Sequence, residues 1–254
     1  YLNKYYAYEG HGNEISRNYT HSGDIIISSQ PISTYADQYT RQRTETWDIS
    51  VPEDSSLVKA FLYFNYNWDT SFFPDGWTLT FNEKTITADY IVWDTDQGNL
   101  GYYGSYKYGI LVFDVSEYFV NGKNTFNIAK TGNCALYPST LVILYNTTDS
   151  NTVKDVYFGD ICDVLYANYN KGYENKTNVF VPYKGINVTN LKDAHWYVFA
   201  GSASGNGDGD ISFNGKRFDS IWSGYSSDST CFAYDADVSD VIAVEFDGDV
   251  SEAL

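Results

Sequence analysis

The chain reads as two copies of one strand-and-turn pattern, and that limits its fold more than any other feature. The first copy holds "DISVPEDSSLVKAFLYF" (Asp48 to Phe64) and "WTLTFNEKTI" (Trp77 to Ile86). The second holds "NVFVPYKGINVTNLKDAHWYVF" (Asn178 to Phe199) and "GDISFNGKRF" (Gly209 to Phe218). Val51-Pro52 matches Val181-Pro182, Ala60 matches Ala194, and Phe81-Asn82 matches Phe213-Asn214. Asp114-Val115-Ser116 then matches Asp237-Val238-Ser239. The order holds while the spacing shortens, as in a duplicated unit that has lost loop residues.

Each copy is written in β-sheet chemistry. "VKAFLYFNYNW" (Val58 to Trp68) is rich in the aromatic and branched residues that suit a central strand. Asn82-Glu83 and Asn214-Gly215 sit at the tips of two-residue hairpins, and Asn-Gly is the strongest signal for a type I′ turn. "DVSEYF" reads as one short helical turn, capped by Asp114 or Ser116. Strands recurring at short intervals with few helices predict an all-β fold: two β-sandwich, jelly-roll-like halves related by the repeat. The expected division is residues 1–165, with a lead segment, and residues 166–254. The second copy stops before any counterpart of Thr140 to Tyr145, so its sheet is expected to have an open edge, filled by further chain or by another subunit. The aromatic lead "YLNKYYAYEG" is a candidate donor, more readily to its own chain than to a neighbour.

These blocks, with "FDVSEYFVNGKNTFNI", "STLVILY", "VYFGDICDVLY" and "GDGDISFNG", resemble a domain of unknown function found in large surface proteins of methanogenic archaea, described as adhesin-like. The resemblance runs from about Ser22 onward. It implies a secreted, cell-surface role in adhesion or in envelope or filament assembly, with a surface glycan, a protein or neighbouring subunits as partner. It carries over no catalytic residue.

Charge narrows the partners. The net charge is −17, which repels phosphate backbones and argues against nucleic acid. No apolar run is long enough for a membrane span. The chain contains no methionine, as expected of a processed or excised segment. Asn18, Asn146, Asn175 and Asn187 begin glycosylation sequons, consistent with an extracellular surface.

Candidate sites are few. In "SASGNGDGDISFNGKRF", Asn206, Asp208 and Asp210 alternate with glycine. Calcium takes oxygens from such loops, and Asp235 and Asp237 are possible further ligands. The EF-hand template fails, and a solvated turn with Asp side chains capping backbone amides is the plainer reading. Asp94 and Asp96 form a second acidic loop, better read as a turn. Tyr102, Tyr103 and Tyr106 lie in a glycine-spaced aromatic loop suited either to stacking on a ligand or to covering a core edge. "TLVILY" and "VKDVYF" read as the arms of a hairpin about "NTTDSN". That hairpin would set Cys134 nearly opposite Cys162, as a disulfide requires, leaving Cys231 over. His11, His21 and His195 show no metal or nucleophile spacing, and no catalytic motif occurs. A non-enzymatic module is therefore expected. The alternative is a secreted glycan-processing hydrolase on paired jelly rolls, recognisable by carboxylates converging on a cleft.

Overall fold

The computed structural model describes residues 15–69, 76–93, 107–148, 152–162, 181, 183, 185–198, 210–219, 221 and 234–240. The described chain is almost entirely antiparallel β, as the turn and strand signals predicted. Its strands are β1 (Ile15–Ser29), β2 (Gln42–Ile49), β3 (Ser55–Asp69), β4 (Thr78–Phe81), β5 (Lys84–Thr85) and β6 (Tyr90–Trp93). They continue as β7 (Lys107–Asp114), β8 (Gly122–Ala129), β9 (Ala135–Leu136), β10 (Thr140–Thr147) and β11 (Val153–Gly159). Then come β12 (His195–Val198), β13 (Ile211–Phe213), β14 (Lys216–Phe218) and β15 (Tyr234–Asp237). A large curled sheet runs β11-β1-β10-β3-β7-β6, with β9 also on β3, and faces a second sheet ordered β2-β8-β4-β5.

Side-chain alternation explains the layering. β2 points Arg43, Glu45, Trp47 and Ile49 inward and the alternate residues outward, the pattern of a half-buried strand. β3 is apolar at successive positions because both of its faces are covered. Ala60, Leu62, Phe64 and Tyr66 join Phe81, Phe126 and Ile128 in the core between the sheets. Phe61 and Tyr63, one residue out of phase, join Val112 and Val142 on the opposite face. There Tyr19 of β1 and Phe158 of β11 lie over Phe61, with ring centroids 5.7 and 5.5 Å away. β1 and β11 thus curl back to cover the outer face of β3.

The hairpin expected between β10 and β11 does not form. β1 is long enough to pair with both, taking β10 through Gly23–Ser29 and β11 through Ile15–Ser22. It supplies the backbone partners that the hairpin would have used. The register that would have set Cys134 opposite Cys162 is therefore lost. Cys134 is fully buried and Cys162 half-buried.

The turns follow their sequence. Asn82 and Glu83 have φ of 46° and 66°, and Asn214 and Gly215 have φ of 45° and 82°, the left-handed pair that a type I′ hairpin needs. The "DVS" turn is capped by Asp114, whose Oδ1 accepts the Ser116 amide at 3.0 Å. Ser116 Oγ in turn accepts the Ala60 amide at 2.9 Å, while the Val115 amide donates to the Ala60 carbonyl at 2.9 Å. The second copy repeats this network. Asp237 accepts the Ser239 amide at 3.0 Å, Ser239 Oγ accepts the Ala194 amide at 2.8 Å, and Val238 donates to the Ala194 carbonyl at 2.9 Å. Even the register recurs, Phe61 opposite Asp114 and His195 opposite Asp237. The same hydrogen-bond pattern therefore recurs at this turn, and the β4–β5 and β13–β14 hairpins share a left-handed turn pair. The proposed boundary at 165/166, the lead residues 1–14 and most of the second half lie outside the described residues, as does any strand filling an open edge there.

Candidate functional site

The structure places the predicted site residues unevenly. Asn206, Asp208, Asp94, Asp96, Tyr102, Tyr103, Tyr106, Asn175 and Cys231 lie outside the described residues. Asp210 stands at the start of β13, where its carboxylate accepts from Arg217 on β14 and forms an ion pair with it. Asp237 caps the turn at Ser239, and that hydrogen bonding holds its carboxyl below the usual range. Among the described residues no three His, Cys, Asp or Glu side chains come together as metal ligands. The sequon residues Asn18 and Asn187 are exposed, whereas Asn146 is half-buried and accepts the Ser22 amide at 2.9 Å.

A buried charged cluster escaped the sequence reading. Asp160, just after β11, accepts from Ser16 at 2.6 Å, Arg17 at 3.1 Å and Tyr63 at 2.8 Å, and also from the Tyr90 hydroxyl. The Arg17 guanidinium sits 4.2 Å from the Phe61 ring centre and 4.7 Å from that of Phe158, a cation held between aromatic faces. Burial and the Asp160 charge push the Tyr63 and Tyr90 phenols well up. Both hydroxyls therefore stay protonated and donate. The cluster ties β1 and β11 to β3 and β6. Across the sandwich core a second pair does similar work: Glu45 accepts the Ser139 amide at 3.0 Å and pairs with Arg43 at 3.3 Å. Burial raises the Glu45 carboxyl.

His21 is also buried, where β1 passes from β11 to β10. Its Nδ1 lies 3.2 Å from the Tyr145 carbonyl, and its Nε2 has no hydrogen-bond partner. Nearby, a groove of about 730 Å³ opens between Asp24, Tyr145, Lys154 and Lys192. Gly23 borders it, and a Cβ there would sit 1.9 Å from the Tyr145 carbonyl oxygen, so β1 can lie this close to β10 only with glycine at that position. Asp24 and Lys154 pair at 2.6 Å, so the charges facing the imidazole largely cancel. Burial, outweighing the Tyr145 contact, lowers the His21 pKa below 6.5. Its neutral form contributes stability that is fully present above pH 6.5 and is lost as pH falls towards the folded value. Urea unfolding should show stability declining from pH 7 to pH 5, by at most about 1.4 kcal/mol per pH unit. His21→Gln should flatten that decline, and an unchanged slope in the variant would assign it to other groups.

The outer face of the second sheet is of another kind. Thr44, Asn127, Thr80 and Thr85 stand in one register row across four strands. Thr44 donates to the Asn127 carbonyl at 2.8 Å, and the Asn127 amide reaches Thr80 at 3.4 Å. Beside that row a shallow trough of about 250 Å³ is bordered by Gln42, Thr44, Thr78, Thr80, Asn127 and Ala129. Arg43 also borders it but sends its guanidinium inward, to the carbonyls of Thr34 at 3.2 Å and Leu136 at 2.9 Å.

A family model described as "Protein of unknown function (DUF3344)" matches residues 7–248. No curated protein matches the chain. Among solved structures, the chain is similar to an α-L-rhamnosidase from Dictyoglumus thermophilum at 14% identity and a TM-score of 0.23. That overlap covers 56% of this chain and 14% of the rhamnosidase, too slight to argue from. Among the described residues no helix is long and apolar enough to cross a membrane.

Proposed function

The chain belongs to the DUF3344 family of unknown function, and with that as premise we propose that it is a non-enzymatic extracellular module serving adhesion or envelope assembly. The carrying observation is how its buried acids are used. Asp160 and Glu45, the two buried acids among the described residues, are each committed to neighbouring strands. Neither forms the facing carboxylate pair on an open cleft that glycoside hydrolysis requires. The net charge of −17 suits a soluble surface protein, and the sequon residues Asn18 and Asn187 are exposed, which supports an extracellular setting. The resemblance to adhesin-like proteins of methanogenic archaea supports the same reading.

Two measurements test it together. Purified protein is incubated with a panel of neutral and acidic polysaccharides and assayed for new reducing ends and for sedimentation with isolated cell envelopes. The expected result is co-sedimentation without turnover. Turnover that scales with protein and disappears in Asp160→Asn would make the chain a hydrolase, and absence of any envelope binding would equally overturn the proposal.

A further inference from the structure

We propose that the outer face of the β2-β8-β4-β5 sheet binds a neutral glycan, with one sugar ring seated in the trough over Ala129. This rests on the module reading above and names its ligand class and its site. The register rows place hydroxyl and amide side chains side by side: Gln42 with Ala129 and Thr78, then Thr44 with Asn127, Thr80 and Thr85. With strands about 4.8 Å apart, the second row spans roughly 14 Å. Ala129 is the small residue in the first row, and it borders the trough between Gln42 and Thr78.

Hydrogen-bond capacity favours a polyol. Thr44 gives its proton to Asn127, so its oxygen still accepts. Thr80 receives the Asn127 amide, so its own hydroxyl proton still donates. Asn127 keeps one amide proton for a ligand. Acceptor, donor and donor therefore lie in a row, complementary to hydroxyls that both give and take.

Charge and bulk exclude other occupants. No ionised group points into the trough, since Arg43 is turned into the core, so an anionic polymer finds no counter-ion there. Along β2 and β8 the first charges on this face, Asp48 and Lys123, stand opposite each other at the far end, and Lys84 of β5 is out of phase with the Thr85 row, opposite the inward Phe81. The face lacks the aromatic and arginine anchors that dominate protein interfaces. At about 250 Å³ the trough is smaller than the ~300–1,000 Å³ of enclosing small-molecule pockets, so it takes one ring of a longer chain.

The test is affinity electrophoresis of the whole protein in native gels cast with mannan, dextran, galactan or, as the acidic control, alginate. Retardation is expected in at least one neutral gel and not in alginate. Asn127→Ala with Thr80→Val, and separately Ala129→Tyr, should weaken that binding tenfold or more while leaving the melting temperature near that of the wild type. Unretarded migration in every neutral gel overturns the proposal, as does equal retardation by alginate. Retardation that survives both folded variants overturns the trough while the module reading stands. Cleavage of the retarding polymer would instead overturn the module reading.

Discussion

Replacing Asp160 with alanine is expected to cost about 3–5 kcal/mol, the usual penalty for removing one partner of a buried pair. For a chain of this size that lowers the melting temperature by roughly 6–20 °C. The deletion leaves the Arg17 guanidinium enclosed by Phe61, Tyr63, Tyr90 and Phe158 without its carboxylate. It also strips the acceptor from two phenols whose burial prevents ionisation. Asp160→Asn keeps an acceptor oxygen and should cost less. The effect should concentrate on the β1–β11 layer, so amides of β11 should exchange faster than those of β8. Uniform exchange, or a loss under 1 kcal/mol, would show that the cluster behaves as an exposed ion pair and does not hold the layer down.

Phe126→Ala is expected to cost a similar amount, about 3–5 kcal/mol, for a different reason. Phe126 is fully buried at the centre of the sandwich core, its ring 5.7 Å from Phe64 in an edge-on contact and 6.2 Å from Phe113. Truncation removes those contacts and leaves a cavity that two hydrogen-bonded sheets collapse into poorly. Phe126→Leu should recover much of the loss. Phe126 and Asp160 act on opposite faces of β3 and share no partner. Their effects should therefore add to within about 0.5 kcal/mol in the double variant. Strong coupling in calorimetry of the single and double variants would show that the two layers are one cooperative unit of packing.

What could be read directly from the residues was local. Asn82-Glu83 and Asn214-Gly215 demand a left-handed pair of backbone angles, and both hairpins obey. Asp114-Val115-Ser116 and Asp237-Val238-Ser239 close the same turn onto Ala60 and Ala194 because the capping bonds reach only two residues and one neighbouring strand. The cores of β3 and β10 were legible too, from unbroken apolar runs. Tertiary structure alone decided which strands pair. β10 and β11 are strands as expected, but β1 takes the backbone partners that a hairpin would have given them, and with that the expected Cys134–Cys162 register goes. The Arg17–Asp160 cluster joins residues 143 apart, and the Thr44–Asn127–Thr80 row needs three strands in exact register. Backbone hydrogen bonds are nearly blind to side-chain identity, so a strand's sequence announces that it will pair but not with what. The choice of partner is made by whichever long-range pairing buries both faces of β3, and that energy belongs to the assembled layers, not to any one stretch of chain.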